Sequence, residues 1–342
     1  AIGIVPDGSP NDFAKNPVGS GAFKFIRYDP DAEVVLERND SYYGHKPIVS
    51  RFRFKIIPET IVRALELKKG SVDIALSVLT PDMVETLRGE KDLEVLQAPG
   101  TNYQYIAFNL KDPVFSDIRV RKAIAYAIDR DKIIQYLFRG QAKPATGVIP
   151  PNNWSYAKDV ESYPYDPQLA RELLRESGHE NLSFTYRTST DDTFRLMAVV
   201  LQQQLRDVGI QMDIRSNEFA TFYADVIKGN FQMYSLRWIG GNNDPDILNF
   251  VFDSMMYPPN GANRGRYANP EVDRLVEFAR REVDTEKRKK AYQEIQRIVA
   301  QDLPYVSLFY LDNVAVFNKR IGGMKLYPAG EYEFLSDVSI RN

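Results

Sequence analysis

The chain has 342 residues, which is too long for one small core and predicts two domains or lobes. Hydrophobic residues make up 44% and charged residues 26% of the sequence, an ordinary balance for a globular protein. Because the 44 basic and 46 acidic residues are well mixed, there is no basic stripe and we expect no nucleic-acid partner. The absence of cysteine excludes disulfides, thiolate nucleophiles and cysteine metal sites.

No apolar run of the sequence approaches the roughly 18 residues that a membrane-spanning helix needs. The first ten residues, AIGIVPDGSP, lack the basic segment and the following apolar segment of a signal peptide. The chain also has no initiator methionine. We therefore expect a processed or trimmed chain whose targeting signal has been removed.

The first hundred residues indicate a mixed α/β unit. Two strand-like runs surround Asp29-Pro30-Asp31-Ala32, which predicts a β-hairpin. Pro58 and Gly70 enclose a helical pattern, and Thr80-Pro81 opens another. The predicted elements are strands at 21–29, 33–40, 51–57, 72–78 and 93–99, and helices at 58–70 and 80–89.

The middle of the chain predicts a long helix, a loop and a parallel unit. After a strand at 102–110, apolar residues recur at helical spacing from 118 to 138, and Gly140 has the position of a C-terminal cap. Residues 147–167 lack periodicity and predict a loop that either crosses the surface or wraps a ligand. The elements that follow are a helix capped by Asp166, a strand at 182–186, a helix at 194–208 and a strand at 210–214, which predict a parallel strand–helix–strand unit.

Residues 231–250 have the most informative local pattern. A helix at 219–227 precedes them, and residues 231–238 alternate in the period of a strand. Gly240-Gly241 ends the strand, Asn242-Asn243-Asp244-Pro245 has turn chemistry, and Asp246 has the position of an N-cap. An aromatic residue, a glycine backbone and polar groups thus converge at one strand end, where open α/β sheets bind ligands.

The last part of the chain predicts two amphipathic helices and a strand. Asn269-Pro270 and Asp284-Thr285 have the pattern of helix N-termini, and the second helix extends over residues 286–302. Residues 305–317 then predict a closing strand.

The signatures of common enzyme classes are absent from the sequence. It contains no HExxH, Walker A or GxSxG motif, and His45 and His179 each follow a glycine, which indicates surface positions. Asp244 and Asp246 offer acid–base chemistry, but turn formation and capping explain both carboxylates. We expect no catalytic residue, no metal site and no cofactor.

Six segments of the chain, taken together and in order, are typical of one protein family. They are PVGSGAFKF, LERNDSYYGHKP, LELKKGSVDIA, DIRVRKAIAYAIDRDKII, YDPQLARELLRESG and the W-x-G-x-N-x-DP loop from Trp238 to Pro245. Their order and approximate spacing resemble the family 5 extracellular solute-binding proteins, the peptide and dipeptide receptors of ABC importers. Each motif alone is weak evidence, but the six occur in order between Pro17 and Pro245, and the resemblance covers essentially the whole chain.

The resemblance implies an α/β fold of the periplasmic-binding-protein type, type II and peptide-receptor class, with two lobes of mixed sheets flanked by helices. Residues 1–100 are then part of lobe one, 101–303 form lobe two, and 304–342 return to lobe one. Family members are longer, so we expect the N-terminal portion of lobe one to be missing. The chain crossings near Gly100 and Pro304 are the expected hinge.

The resemblance also implies a ligand site that differs from those of peptide-binding relatives. An aspartate three residues after their loop tryptophan pairs with the ligand's α-amino group, and this chain has Gly241 there. Dipeptide receptors hold the α-carboxylate with an arginine after the strand that corresponds to 182–186, where this chain has Thr188-Ser189-Thr190-Asp191-Asp192 with Arg187 or Arg195 close by. An oligosaccharide, or a longer peptide held through its backbone and waters, fits this difference.

The expected ligand contacts lie mainly in the loop motif. Trp238 is expected to form a stacking or apolar wall, and glycine backbone to allow close approach. The residues predicted to contact the ligand are Trp238, Gly240, Gly241, Asn242, Asn243 and Asp244, with Tyr103 and Asn109, which alternation places on one strand face, as further candidates.

The resemblance implies a binding function without covalent chemistry. We expect a monomeric receptor that captures a peptide or similar small solute by hinge closure and delivers it to the membrane permease of an ABC importer. The expected location is periplasmic or extracellular, with a possible lipid anchor in the full-length precursor. The alternatives are a ligand-sensing module not coupled to import, an oligosaccharide receptor, and, less favoured, a hydrolase that uses Asp244 and a second carboxylate.

Overall fold

The computed structural model describes Val5, Asp7, Phe13 and the ranges 15–239 and 244–341. The chain divides into two compact units. Unit 1 comprises Ala1–Gly100 and Asn313–Asn342, and unit 2 comprises Thr101–Asp312. The assignment of these units to the two lobes of a receptor stays a prediction.

The first half of the described chain alternates strands and helices. The elements are β1 (Phe23–Asp29), β2 (Glu33–Arg38), β3 (Arg51–Lys55), α1 (Thr60–Lys69), β4 (Ile74–Leu76), α2 (Pro81–Arg88), β5 (Leu93–Phe108), α3 (Pro113–Ser116), α4 (Ile118–Ala127), α5 (Arg130–Lys132) and β6 (Ala142–Pro144). A π-helical turn, Ile133–Leu137, follows α5.

The second half is richer in helix. The elements are α6 (Pro167–Glu176), β7 (Ser183–Ser189), α7 (Asp192–Arg206), β8 (Gln211–Asn217), α8 (Phe219–Lys228), β9 (Met233–Trp238), α9 (Ile247–Phe252), α10 (Pro270–Arg281), α11 (Thr285–Asp302), β10 (Tyr305–Asn318), β11 (Ile321–Gly322) and β12 (Ser339–Ile340). A 3-10 turn, Glu333–Ser336, precedes β12. No helix in the described ranges is both long enough and apolar enough to cross a membrane.

Unit 1 contains an antiparallel sheet of β1, β2 and β3 in that order. The predicted hairpin is confirmed, because β1 and β2 pair from Phe23 with Arg38 to Asp29 with Glu33. Gly70 adopts the left-handed conformation (φ 77°) and closes α1, as its position predicted. Strand β4 pairs with the part of β10 that belongs to this unit, and Leu67, Val84 and Val314 join the core beside them.

Unit 2 is built on a mixed sheet with helices on both faces. The strands lie in the order β10, β5, β9, β7 and β8, and β6 also pairs with β10. The parallel pairing of β7 with β8 confirms the predicted strand–helix–strand unit around α7. Strand β9 is parallel to β7 and antiparallel to β5, so it is enclosed on both sides. The α/β fold class with mixed sheets flanked by helices is therefore confirmed.

Two hydrophobic cores cover the two faces of this sheet. One core joins residues of α4, α6 and α7 to the sheet residues Phe108, Tyr186 and Met233. The other joins residues of α8, α10 and α11 to Tyr105, Tyr234 and Leu236. Because β9 supplies buried side chains to both cores, its position is fixed from above and below.

The predicted long helix over 118–138 is wrong. Helix α4 ends at Ala127, and Ile128 takes an extended conformation with φ −96° and ψ 111°. The side chain of Asp129 accepts a hydrogen bond from the Lys132 backbone N–H at 3.0 Å. A carboxylate that caps a new turn competes with continuation of the helix, and the apolar periodicity does not reveal this competition.

Arg121 of α4 connects this helix to the end of α11. Its guanidinium is buried and donates to the backbone carbonyls of Phe115 (2.7 Å), Ser116 (3.1 Å), Asp302 (2.6 Å) and Leu303 (3.1 Å). The neighbouring Arg119 is exposed and pairs with Asp117. Two arginines of one short motif thus have different roles.

We expect Arg121→Met to lower the free energy of unfolding by about 3 kcal/mol, because the substitution leaves buried carbonyl groups without donors. Arg119→Met is the matched control, and its loss of an exposed ion pair should cost less than about 1 kcal/mol. Urea unfolding followed by circular dichroism measures both values. Equal effects of the two substitutions would contradict the assigned role of Arg121.

Candidate functional site

The carboxyl ends of β7 and β9 lie at the same edge of the unit 2 sheet, because the two strands are parallel. The antiparallel strand β5 begins its pairing with β9 at this edge, where Tyr103 lies opposite Trp238. We call this region the strand-end edge: Ser189 and Trp238 end their strands here, and Tyr103 of β5 lies opposite Trp238. Ligands of open α/β sheets bind outside such carboxyl ends.

Alternation along β9 directs neighbouring residues to opposite faces of the sheet. Tyr234, Leu236 and Trp238 contribute to the core under α8, α10 and α11. Met233 contributes to the core under α4, α6 and α7, so Arg237 belongs to that second face by alternation. The strand-end edge therefore carries an aromatic side chain on one face and a cation on the other.

Trp238 is partly buried and is held by two neighbours. Its ring lies edge-on to Phe250, with ring centroids 6.2 Å apart and an interplanar angle of 70°. The guanidinium carbon of Arg264 lies 5.2 Å from the Trp238 ring centroid. The buried Nε1 donor of Trp238 has no hydrogen-bond partner within the described ranges. The indole is thus a wall with a fixed orientation.

Arg264 is a buried cation behind Trp238. It donates to the phenol oxygens of Tyr223 at 2.9 Å and Tyr105 at 3.5 Å. Burial lowers the pKa of Arg264, but the surrounding tyrosines, Tyr105 first among them, raise this pKa more, so the net direction is upward. The guanidinium therefore stays charged and forms cation–π contacts with Tyr223 and Trp238.

Tyr103 and Asn109 lie at opposite ends of the paired part of β5. Tyr103 is fully buried, stacks on Tyr105 with centroids 5.5 Å apart, and its hydroxyl lies 2.8 Å from the Ser307 Oγ. Burial raises the pKa of Tyr103, so the phenol stays protonated. Asn109 follows the end of β5 and donates through Nδ2 to the Phe231 carbonyl at 3.1 Å. The structure brings Tyr103 beside Trp238 and places Asn109 at the distant end.

The loop after β9 is described only in part. The predicted contacts Gly240, Gly241, Asn242 and Asn243 lie outside the described residues. Asp244 is exposed, and its Oδ1 accepts a hydrogen bond from the Asp246 backbone N–H at 2.9 Å. This contact is the expected turn chemistry. The predicted role of these residues in ligand binding stays a prediction.

The expectation that Asp246 caps helix α9 is wrong. Asp246 precedes the helix, but its side chain makes no capping hydrogen bond. Its backbone is already helical, with φ −63° and ψ −11°, whereas an N-cap residue normally has extended dihedrals. The carboxylate instead lies 3.2 Å from the Arg280 Nε. Burial raises the pKa of Asp246, while Arg280 lowers it less strongly.

The opposite face of the strand-end edge holds a polar group that the motifs did not predict. Gln104 is buried and donates through Nε2 to the Ser235 Oγ at 2.6 Å and to the Leu236 carbonyl at 3.1 Å. Its Oε1 accepts from the Arg237 Nε at 3.2 Å. An arginine in a strand buried on both faces is unusual, and this signal in the sequence could have identified Arg237.

The two arginines expected near β7 differ in availability. Arg187 pairs with Asp225 of α8 at 2.8 Å and is therefore occupied by a carboxylate of the chain. Arg195 is exposed on α7. At the start of α7, Asp191 accepts from the Thr193 and Phe194 backbone N–H groups. Within the described ranges, no cluster of three or more His, Asp or Glu side chains could hold a metal ion.

A comparison with family models finds one match. Residues 2–255 match the model described as bacterial extracellular solute-binding proteins, family 5 Middle. The match covers most of the chain and includes Tyr103, Ser189 and Trp238 of the strand-end edge.

The chain is also similar to named relatives and solved structures. It is 33% identical over 99% of its length to the probable di/tripeptide-binding protein 5 of Pseudomonas aeruginosa strain UCBPP-PA14. The periplasmic binding protein DppA from Helicobacter pylori, in complex with the peptide STSA, matches 97% of this chain and 65% of that chain with 26% identity and a TM-score of 0.85. NikZ from Campylobacter jejuni, in complex with Ni(L-His), matches 98% of this chain and 72% of that chain, also with 26% identity and a TM-score of 0.85.

The chain spans 64% of the length of the Pseudomonas aeruginosa relative. These relatives are binding proteins, and the two solved structures contain a nickel–histidine complex and a peptide as ligands. Similar folds of this kind therefore hold ligands of different chemistry. The identity of the ligand has to come from the side chains at the strand-end edge.

We expect Asp246→Asn to stabilise the protein at pH 7 but not at pH 3. Because the folded pKa of Asp246 is raised, its stabilising protonated form is fully present below about pH 4 and is lost as the pH rises through the raised pKa. An asparagine has no such loss. Melting temperatures of both proteins between pH 3 and pH 7 test this expectation.

Arg280→Met is the matched control for that series. It removes the cation that lies 3.2 Å from the Asp246 carboxylate, so it should lower the melting temperature at pH 7 and have little effect at pH 3. A constant difference between wild type and Asp246→Asn at every pH would show that Asp246 does not titrate with folding.

Proposed function

The chain belongs to the bacterial extracellular solute-binding proteins of family 5, and from this premise we propose that it is part of an ABC-importer receptor that binds a peptide or similar small solute. The family consists of solute-binding proteins, not enzymes, and its members are periplasmic or extracellular. The Pseudomonas relative is named as a di/tripeptide-binding protein. Because the chain spans 64% of that relative, the activity of the whole protein is part of the proposal.

The main support for this proposal is the fixed orientation of the Trp238 ring at the strand-end edge. Trp238 is oriented by Phe250 on one side and by the charged guanidinium of Arg264. Fixing an aromatic ring at the carboxyl edge of a sheet restricts its rotamers before a ligand arrives, and this preorganisation lowers the entropy cost of binding. An indole face suits both the apolar side chains of a peptide and its backbone amides.

The proposal also includes the partners of the receptor and its location. The receptor acts as a monomer, delivers its solute to a membrane permease and has no nucleic-acid partner. Its mixed surface charge, 44 basic against 46 acidic residues, supports the last point. A lipid anchor in the full-length precursor completes the proposal.

The proposed contacts in the loop, Gly240, Gly241, Asn242, Asn243 and Asp244, complete the site beside Trp238. Tyr103 is fully buried and lies opposite Trp238 in the β5–β9 pairing, so its proposed role is to support Trp238 rather than to touch the ligand. Asn109 lies at the far end of β5, where its amide holds the Phe231 carbonyl. The strand-end edge therefore relies on Trp238 and the loop for direct contact.

A thermal-shift panel of di- to pentapeptides and oligosaccharides tests the proposed solute class, because a ligand that binds only the folded state raises the melting temperature. We expect peptides to produce the shift. Trp238→Ala should weaken binding of the responding ligand by about tenfold or more, the cost of losing an aromatic contact. Isothermal titration calorimetry measures the affinities.

Trp154→Ala is the control, since Trp154 is 40% exposed and its ring contacts Tyr292 and Arg288 of α11. It should leave the affinity unchanged. A response to oligosaccharides alone would replace the peptide assignment by a sugar. Equal losses in the two tryptophan variants would contradict the placement of the site.

A further inference from the structure

Arg237 is the last described residue of β9 on the face that packs under α7. Its guanidinium carbon lies 5.2 Å from the ring centroid of Phe194, in the first turn of α7. The side chain is partly buried between the sheet and this helix. All of these residues belong to unit 2.

Among the described residues, Arg237 makes one hydrogen bond, from Nε to the Gln104 Oε1, and none of these residues accepts from Nη1 or Nη2. The other inward arginines of the unit are satisfied. Arg121 and Arg130 donate to backbone carbonyls, Arg187 pairs with Asp225, and Arg264 donates to two phenols.

An unpaired guanidinium that is removed from water is costly for the folded state. Burial lowers the pKa of Arg237, in agreement with incomplete compensation of its charge. The negative charge of Asp191 partly offsets this lowering, and the Asp191 Oδ1 accepts from two backbone N–H groups at the start of α7. Gln104 and Phe194 orient the guanidinium but do not neutralise it.

The same face of the sheet contains a buried hydroxyl group near the end of β7. Thr188 of β7 is fully buried, and its hydroxyl has no hydrogen-bond partner in the described part of the chain. Thr188 lies on β7, the strand next to β9. Because side chains alternate along a strand, it is on the same face of the sheet as Tyr186 and Met233. A hydroxyl donor and a guanidinium fork thus lie on one face at one edge.

We propose that Arg237 binds a carboxylate group of the solute at the strand-end edge, between Phe194 and the end of β9. This inference rests on the proposed function, because it assigns a chemical class to the ligand of the same edge. The paired Nη1 and Nη2 donors match the two oxygens of a planar carboxylate. A single cation favours a single negative charge over a phosphate dianion.

Thermal shift with three probes tests the proposal: trialanine, trialanine amide and the amide of Ala-Asp-Ala. The first carries a terminal carboxylate, the second carries none, and the third carries a side-chain carboxylate. Wild type is compared with Arg237→Met and with Arg187→Met. Arg187→Met is the matched control, because Arg187 lies on the adjacent strand and already has a carboxylate partner in Asp225.

We expect wild type to bind at least one of the two carboxylate probes, trialanine or the Ala-Asp-Ala amide, about tenfold or more tightly than trialanine amide. This difference in affinity corresponds to one charge-assisted bidentate contact. Arg237→Met should lose this preference, and Arg187→Met should keep it. A response to trialanine alone identifies a terminal carboxylate. A response to the Ala-Asp-Ala amide shows that a side-chain carboxylate is accepted. If Arg237→Met does not fold, Arg237→Lys replaces it and should reduce the preference.

Failure of this inference and failure of the receptor function give different results. Equal shifts by trialanine and its amide in wild type would overturn the role of Arg237 and leave a peptide receptor. A second outcome is that no peptide raises the melting temperature, but sodium succinate raises that of wild type and not that of Arg237→Met, relative to sodium chloride at equal ionic strength. This result would support the carboxylate site and contradict the assignment of a peptide ligand. No response to any carboxylate overturns the site.

Discussion

The enclosure of β9 between β5 and β7 is the constraint on which the strand-end edge depends. Side chains of this strand enter hydrophobic cores on both faces of the unit 2 sheet. A strand fixed in this way has little freedom to slip, since a shift by one residue would exchange the two faces. The positions of Trp238 and Arg237 at its end are therefore set by the packing of the whole unit.

The two arginines near this edge differ in their hydrogen-bond partners, and this difference separates a structural role from a binding role. Arg264 and Arg237 both lie against aromatic rings, and neither has a carboxylate partner in the described chain. Arg264 is satisfied by the hydroxyls of Tyr105 and Tyr223 and braces Trp238 from behind. Arg237 has no acceptor for its two terminal nitrogens among the described residues, and this difference makes it a ligand-binding group in our account.

Local signals in the sequence predicted much of the fold, because hairpins, caps and strand alternation depend on near neighbours. Asp166, Asn269 and Asp284 cap the helices that follow them, as their positions predicted. The capping rule failed at Asp246, where the carboxylate pairs with Arg280, and apolar periodicity missed the new turn that Asp129 caps. The strand ending at Trp238 was predictable, but its contact with Arg264 and the pairing of Gln104 with Arg237 depend on distant segments and required the tertiary structure.

The most direct test of the strand-end edge is hydrogen–deuterium exchange of the protein with and without saturating trialanine. Bound ligand slows exchange where it orders or covers the backbone. We predict slower exchange in peptides that cover residues 186–195 and 234–248, with little change near Asn109 at the opposite end of β5. Protection restricted to other segments, or no change in either of these two, would contradict the central claim that the solute binds at the carboxyl ends of β7 and β9.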